Sequence, residues 1–173
     1  MNNIVLIGFM GCGKSSVGLR YAQMQGIEFV DTDQLIVEKQ GRSINEIFAT
    51  DGEKVFRKME TDCLKELLAQ KNKSYVLSVG GGVPIREENR KLLKQIGTVI
   101  FLKASPNVIF RRLRNDKTRP LLQNENPRGR IMDLMSSRKQ FYEATADYVL
   151  DVDGKNFDEI LTEISDIIKA ENN

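Results

Sequence analysis

The segment that most constrains the fold lies near the start of the chain, where residues 8–15 match the phosphate-binding pattern G-x-x-x-x-G-K-[ST]. The apolar residues 4–7 before it are typical of a buried parallel strand, and residues 16–25 after it can form a helix. A strand, a glycine loop and a helix in this order build a cradle for phosphate groups. A glycine turn that matches by chance is the alternative, and the flanking strand argues against it.

Each polar position of this loop has a chemical role in such a cradle. The Lys14 ammonium can reach the β- and γ-phosphates of a nucleotide, and the Ser15 hydroxyl can ligate Mg²⁺. The glycines let backbone N–H groups turn toward the anion. The loop therefore predicts a site for a nucleoside triphosphate, with ATP and Mg²⁺ expected. The predicted nucleotide-binding residues of the loop are Gly11, Cys12, Gly13, Lys14, Ser15 and Ser16.

The composition is that of an ordinary globular domain. The 173 residues are 40% apolar and 29% charged, so residues 1–173 are expected to form one domain. No apolar run approaches the ~20 residues that span a bilayer, and the chain enters a strand almost at once, without a signal peptide. Cys12 and Cys63 have no metal or redox spacing. These features predict a cytoplasmic protein without a membrane partner.

The charged residues limit the possible chemistry and partners. The chain contains no histidine, so proton transfer falls to a carboxylate, a lysine or water. The net charge is +2, but residues 103–139 hold ten Lys or Arg against three Asp or Glu. Nucleic-acid binding and a funnel for a polyanionic small molecule both fit this excess. The near absence of aromatic residues from residues 111–130 favours the small molecule, so no nucleic-acid partner is predicted.

Strand-like and helix-like segments alternate along the chain, which predicts an α/β fold with a parallel sheet. Residues 31–70 interrupt the alternation, because they hold helical patterns and no strand, and they predict a small helical region. The polar stretch at about 112–128 carries two prolines and predicts a functional lid. The predicted strands are residues 3–8, about 27–30, 75–79, 98–103 and 147–152.

Two carboxylates follow the second predicted strand, in the sequence Asp31-Thr32-Asp33. Ligands bind at the carboxyl ends of the strands in doubly wound sheets, so these side chains can serve a Mg²⁺-bound water and an acceptor hydroxyl. The alternative is that Asp33 merely caps a helix that starts at Gln34. The two roles are compatible with each other.

Arg57 lies three and four residues from Glu60 and Glu53 on a predicted helix. The spacing alone favours exposed ion pairs. The functional interpretation makes Arg57 a planar fork for a substrate carboxylate, oriented by Glu60. The three glycines at 80–82 end the third predicted strand, and they favour close approach of a ligand over a plain turn.

Two further arginines follow in the basic part of the chain. Arg119 lies in the predicted lid and can close onto transferring phosphates. Arg138 lies on the helix that follows and can form a second fork for an anion. A solvated surface position is the alternative for each.

The ordered motifs GFMGCGKS, DTD, FRKME, GGG, TRPLL and Arg138 with Tyr142-Glu143 together resemble the shikimate kinase family over nearly the whole chain. The resemblance implies a three-layer P-loop kinase fold. This fold has a five-stranded parallel sheet of order 2-3-1-4-5, helices on both faces, a helical substrate-binding region at 31–70 and a mobile lid. The implied reaction transfers the γ-phosphoryl group of ATP to the 3-hydroxyl of shikimate, in aromatic amino-acid biosynthesis.

The same resemblance implies a role for each site residue. Lys14, Asp33 and Arg119 are the implied catalytic residues, and Asp33 receives the proton of the shikimate hydroxyl. Ser15 ligates Mg²⁺ and Asp31 acts on it through water. Arg112 stacks on adenine, and Arg119 contacts the phosphates. The implied shikimate-binding residues are Asp33, Phe48, Phe56, Arg57, Gly81, Gly82 and Arg138.

Two positions depart from the family pattern. Residues 153–156 lack the proline that members often carry in the adenine loop, so side-chain contacts in that loop stay open. Cys12 lies at a variable position of the phosphate loop. A thiol at a helix N-terminus can be reactive, and nucleotide would then shield it. The alternative is a small side chain that the loop tolerates.

Other functions compete with this interpretation. Another small-molecule P-loop kinase, such as a gluconate-type kinase, would also use arginines for a carboxylate, but the DTD, FRKME and GGG set favours shikimate. A nucleotide-switch GTPase would need N-K-x-D, and residues 72–75 lack the aspartate. A binding module without catalysis would not need Asp33, Arg57 and Arg138. A monomer is expected, because no exposed apolar stripe is evident.

Overall fold

Five parallel strands form a sheet at the centre of the protein. They are β1 (Asn3–Ile7), β2 (Glu28–Asp31), β3 (Tyr75–Ser78), β4 (Gly97–Lys103) and β5 (Tyr148–Asp151). Their order across the sheet is β2-β3-β1-β4-β5, which confirms the predicted order 2-3-1-4-5. The five strands also lie where the sequence predicted them, with ends that differ by at most one residue.

The computed structural model describes residues 2–70, 72–116 and 125–173. Residues 117–124 of the predicted lid lie outside these ranges. Arg119 is among them, so its predicted roles in catalysis and nucleotide binding stay predictions.

Helices connect the strands and cover both faces of the sheet. Three of them begin at side-chain caps: Ser43 and Asn156 each form a capping box, and the Ser105 hydroxyl accepts the N–H of Val108. The helices of the described residues are α1 (Lys14–Gln25), α2 (Thr32–Gln40), α3 (Ile44–Asp51), α4 (Glu53–Ala69), α5 (Glu87–Ile96), α6 (Pro106–Leu113), α7 (Pro127–Thr145) and α8 (Phe157–Glu171), with a 3₁₀ turn at Val83–Ile85.

The core lies between the central strands and these helices. α1 packs against α8, and α5 packs against α7. Residues 4–7 of β1 and 99–102 of β4 are buried, because helices cover both faces of the sheet there. Strands buried on both faces carry continuous apolar runs rather than alternating ones. This is why β1 and β4 could be recognised in the sequence.

The described residues between β2 and β3 form three helices, α2, α3 and α4, and no strand, as predicted. The Ser43 capping box starts α3, and Gly52 separates α3 from α4 with a φ of 86°. α4 packs against α2, α3 and α5. This arrangement holds the face of α4 that carries Arg57 and Glu60 beside the segment that follows β3.

The carboxyl ends of three neighbouring strands meet at one edge of the sheet. β1 leads into the phosphate-binding loop, β2 ends at Asp31, and β3 leads into the glycines at 80–82. The predicted motifs therefore come together at the edge where open α/β sheets bind ligands. Within the described ranges, no helix is both long enough and apolar enough to cross a membrane.

Candidate functional site

Two adjoining cavities open at this edge of the sheet. The loop cavity, of about 600 Å³, lies over the phosphate-binding loop. The arginine cavity, of about 400 Å³, lies between α4, the glycines at 80–82 and Arg138 of α7. Both volumes are typical of sites for small ligands. The residues that line both cavities are Met10, Asp33, Gly80 and Gly81.

Lys14 lies at the centre of the phosphate-binding loop. Its side chain folds back along the loop, and Nζ donates hydrogen bonds to the carbonyl oxygens of Gly8 at 2.8 Å and Phe9 at 3.1 Å. The residue is only 8% exposed and lines the loop cavity. Both of these acceptors are neutral carbonyls, so neither competes as a counter-ion with an anion in this cavity.

Ser15 and Asp31 form a cluster of oxygen atoms beside the lysine. The Ser15 hydroxyl donates to Asp31 Oδ2 at 2.7 Å and lies 3.5 Å from the Ser78 hydroxyl. Within the described part of the chain, no three His, Cys, Asp or Glu residues form a metal cluster. Mg²⁺ commonly takes only one or two protein ligands and completes its shell with water and phosphate oxygens. The hydroxyl and carboxylate therefore fit a nucleotide-bound Mg²⁺.

Asp31, rather than Asp33, caps helix α2. Asp31 Oδ1 accepts the N–H groups of Asp33 at 2.9 Å and Gln34 at 3.2 Å. The suggestion that Asp33 caps a helix starting at Gln34 is therefore wrong, because α2 begins at Thr32. Asp31 ends a strand in an extended conformation, which is the usual backbone of an N-cap. Asp33 lies at the boundary between the two cavities and lines both of them.

Arg57 is held by carboxylates on its own helix. NH1 donates to Glu60 Oε1 at 2.6 Å, and NH2 donates to Glu53 Oε1 at 3.2 Å. The side chains of Arg57 and Glu60 are 13% and 0% exposed, whereas that of Glu53 is 53% exposed. The interpretation of exposed ion pairs thus holds only for Glu53. The buried pair orients Arg57 toward the arginine cavity.

Arg138 is a second, more deeply buried arginine at the same cavity. It is 3% exposed, and its Nε has no hydrogen-bond partner within the residues that the structure describes. Burial lowers the pKa of its guanidinium, although an arginine remains charged in proteins. The alternative of a surface residue is therefore wrong. A buried cation facing a cavity is stabilised by an anionic ligand.

Side chains of the cavity lie against two of the three glycines, Gly80 and Gly82. A Cβ on Gly82 would lie 2.3 Å from NH1 of Arg57, and one on Gly80 would lie 2.8 Å from Oε2 of Glu60 and 3.0 Å from Oδ1 of Asp33. Any side chain at these positions would displace the groups that face the cavity. The structure therefore supports close approach at this turn over a plain change of chain direction.

Two aromatic rings form the apolar side of the arginine cavity. The Phe48 and Phe56 ring centroids lie 5.0 Å apart, and both residues line the cavity. Ser43, Ile44 and Asn45 also line it, although the sequence interpretation did not include them. The capping box at Ser43 was the only signal for this segment, and it indicates a helix start rather than a ligand site.

The far end of the loop cavity is formed by α6 and the start of α8. Arg112 NH1 donates to the Gly11 carbonyl at 3.0 Å, so the predicted adenine-stacking residue lies at the loop. Lys155, Asn156 and Phe157 also line this cavity, and the sequence interpretation left their contacts open.

Cys12 lies inside the loop rather than on its surface. The residue is 2% exposed, and its Sγ lies 3.8 Å from Nζ of Lys14. A thiol this inaccessible favours the interpretation of a small tolerated side chain over that of a reactive thiol shielded by nucleotide.

Glu60 is expected to make the stability of the protein depend on pH. Burial raises the pKa of its carboxyl from 4.5 to about 7, against the opposing effect of Arg57. Below pH 4.5 the Glu60 carboxyl is protonated in both the folded and the unfolded state. Between pH 4.5 and about pH 7 it is protonated only in the folded state. The stability that Glu60 contributes is thus complete at low pH and is lost as the pH rises through about 7.

The variant Glu60→Gln should remove this dependence. Between pH 4.5 and pH 8, the free energy of unfolding of the wild type should fall by about 3 kcal/mol relative to the variant. Urea unfolding of both proteins at the two pH values measures the difference. A difference that is the same at both pH values would show that Glu60 keeps an ordinary pKa.

Proteins of one family resemble this chain in sequence and in structure. The family model described as Shikimate kinase matches residues 10–169. A protein of Thermodesulfovibrio yellowstonii named shikimate kinase is 46% identical over 164 residues, which cover 95% of this chain and 93% of that protein. One of Geobacter metallireducens with the same name is 42% identical over 170 residues, covering 98% and 93% of the two chains.

A solved structure extends the likeness to three dimensions. The shikimate kinase of Acinetobacter baumannii, in complex with shikimate, superposes with a TM-score of 0.94 at 37% identity, covering 99% of this chain and 94% of the other. The agreement includes the sheet order and the phosphate-binding loop that the sequence predicted. On the family match, the sequence identity and this shared fold, the chain belongs to the shikimate kinase family.

Proposed function

We propose that the protein transfers the γ-phosphoryl group of ATP to the 3-hydroxyl of shikimate and releases ADP and shikimate 3-phosphate. The observation that carries the proposal is the junction of the two cavities. Asp33 lines both of them, with Lys14 on one side and two buried arginines on the other. This arrangement suits a triphosphate and an anionic acceptor that meet at one carboxylate.

The loop cavity would hold the nucleotide. Lys14 and the backbone N–H groups of Gly11, Cys12, Gly13, Ser15 and Ser16 would surround its phosphates, because a helix N-terminus and a glycine loop favour anions. Arg112 would lie against adenine. Arg119 would contact the phosphates from the lid, a role that stays a prediction. A bound Mg²⁺ would be held by Ser15 directly and by Asp31 through water, and would offset charge on the phosphate oxygens.

The arginine cavity would hold shikimate. Arg57 and Arg138 would bind its carboxylate, with the N–H groups of Gly81 and Gly82 beside them. Phe48 and Phe56 would cover the apolar part of the ring. Holding the carboxylate at one end fixes the direction of the hydroxyl at the other end, and this converts the transfer into a reaction between positioned groups.

Asp33 would act at the point where the two ligands meet. The acceptor hydroxyl must lose its proton as its oxygen bonds to phosphorus, and the Asp33 carboxylate would accept that proton. Lys14 would stabilise the charge that develops on the transferred group. The bond between the γ-phosphorus and its bridging oxygen breaks, and ADP leaves with the electron pair.

A conservative change at Arg57 tests the carboxylate role. Arg57→Lys keeps the charge but loses the planar fork, so the KM for shikimate should rise by roughly 10- to 100-fold while the KM for ATP stays within about twofold. Arg42→Lys is the matched control, because Arg42 binds the Asp51 carboxylate at 2.5 Å outside both cavities. Steady-state kinetics of both variants measure the effect; an unchanged KM in Arg57→Lys would remove Arg57 from the site.

The nearest alternative is another small-molecule P-loop kinase, such as a gluconate-type kinase. Formation of ADP from ATP should be measured with shikimate, with gluconate, with a nucleoside monophosphate and with no acceptor. The proposal requires that shikimate alone stimulates ADP formation and that shikimate 3-phosphate accumulates. Stimulation by gluconate instead of shikimate would establish the alternative. Omission of Mg²⁺ should abolish the activity.

We further propose that residues 1–173 act as one monomeric kinase domain in the cytoplasm, with 31–70 binding the substrate and without a nucleic-acid or membrane partner. The position of α3 and α4 at the arginine cavity supports the substrate-binding part of this proposal. Sedimentation of the purified protein at working concentration would test the monomer.

A further inference from the structure

A buried tyrosine on α7 contacts the glycine turn of the arginine cavity. The Tyr142 hydroxyl donates a hydrogen bond to the carbonyl oxygen of Gly81 at 2.7 Å. The residue is 2% exposed, and its ring packs against Phe101 with centroids 5.1 Å apart. Burial raises the pKa of the phenol, so it remains a donor over the whole working range of pH.

This hydrogen bond acts on the peptide group between Gly81 and Gly82. The groups on either side have their own partners, because the Gly80 and Gly82 carbonyls accept the N–H groups of Val83 and Ile85. Three successive glycines give a backbone more conformational freedom than other residues do. The peptide between Gly81 and Gly82 is trans, as are the other peptide bonds of the described residues. In a planar trans peptide the carbonyl and the N–H point in opposite directions. Fixing the Gly81 carbonyl toward Tyr142 therefore aims the Gly82 N–H away from α7.

The same helix carries Arg138 one turn earlier, on the same face as Tyr142. NH1 of Arg138 would lie 3.4 Å from a Cβ on Gly81, and NH1 of Arg57 would lie 2.3 Å from one on Gly82. The glycine turn is thus placed between the two guanidinium groups. A rotation of the Gly81–Gly82 peptide plane would therefore change the space available to the Arg57 and Arg138 guanidinium groups.

We infer that Tyr142 is a positioning residue for the acid substrate: its phenol fixes the Gly81–Gly82 peptide so that the Gly82 N–H and both arginines present one rigid carboxylate site. The inference rests on the proposed function, because it assigns the site to the shikimate carboxylate. Tyr142 itself does not line the arginine cavity. It acts through the backbone of the glycine turn and through its hydroxyl beside the Arg138 guanidinium, and it takes no part in proton or phosphoryl transfer.

The test compares two tyrosines that each lose one hydroxyl. Tyr142→Phe removes the 2.7 Å hydrogen bond to Gly81. Tyr75→Phe removes the hydroxyl of an equally buried tyrosine of β3, whose contact with the Leu67 carbonyl is longer, at 3.5 Å. Tyr142→Phe should raise the KM for shikimate roughly tenfold and leave the KM for ATP within twofold. Tyr75→Phe should change neither KM.

Two outcomes would overturn the inference. The first is that the KM for shikimate in Tyr142→Phe stays within twofold of the wild-type value. The second is that the KM for shikimate and the KM for ATP rise equally in Tyr142→Phe and Tyr75→Phe, which would indicate general destabilisation. The ¹³C shift of the Gly81 carbonyl in glycine-labelled protein should also move in Tyr142→Phe and stay fixed in Tyr75→Phe. A wild type without activity on shikimate would refute the proposed function, and the carbonyl shift would still test the hydrogen bond.

Discussion

Replacing Asp33 with asparagine is expected to lower kcat by about 10²- to 10⁴-fold, the usual contribution of a positioned general base. The amide keeps the shape of the side chain but cannot accept the proton of the acceptor hydroxyl. The affinity for ATP should stay within about twofold, because the phosphate contacts come from the loop. Coupled measurement of ADP release gives kcat, and calorimetry gives the affinity for nucleotide.

Asp62→Asn provides the matched control for this experiment. Asp62 also lies in the helical region, on α4, but it is 46% exposed and pairs with Lys58 away from both cavities. Its replacement should leave kcat unchanged. If Asp33→Asn turns over at the rate of the wild type, Asp33 takes no part in proton transfer. The proposal that Asp33 acts as the base where the two cavities meet would then be wrong.

Replacing Gly82 with alanine is the second change expected to have a large effect. The added Cβ would lie 2.3 Å from NH1 of Arg57, so the guanidinium must leave its position. Loss of a buried partner of a charge pair costs enough to raise the KM for shikimate by roughly 10²-fold. The KM for ATP should change little. Steady-state kinetics with each substrate varied in turn would measure both.

A double-mutant cycle with Arg57→Ala separates this collision from a general disturbance of the turn. In the Arg57→Ala background the alanine at position 82 meets no guanidinium, so it should add less than about threefold to the KM for shikimate. Additive effects of the two changes would mean that the turn and the arginine act independently. The close contact between Gly82 and Arg57 would then have no functional role.

The sheet could be predicted from the sequence because its strands have a simple signature. The strands β1 and β4 are covered on both faces and therefore read as continuous apolar runs. The phosphate-binding pattern then fixed the edge at which ligands bind. The starts of α3 and α8 at Ser43 and Asn156 also carry a local pattern, in which a capping residue is followed three positions later by a glutamate. Each of these signals lies in a short stretch of sequence and can be recognised without knowledge of the tertiary contacts.

The site was less predictable, because the spacing of residues on a helix shows which of them share a face but does not show whether that face is buried. The spacing of Arg57 and Glu60 alone favours an exposed pair, and only the packing of α4 shows that the Glu60 side chain is 0% exposed. The cap of α2 could have been Asp31 or Asp33, since the two lie two residues apart at the end of a strand. The contact of Tyr142 with Gly81 joins residues 61 positions apart in the chain and has no sequence signal.

A crystal structure of the protein with ADP, Mg²⁺ and shikimate bound together would show where phosphoryl transfer takes place. We expect the shikimate carboxylate within hydrogen-bond distance of Arg57 and Arg138, and the 3-hydroxyl against the Asp33 carboxylate on the side that faces the β-phosphate. A shikimate carboxylate bound elsewhere, or a 3-hydroxyl turned away from Asp33 and the nucleotide, would contradict the claim that transfer occurs where the two cavities meet.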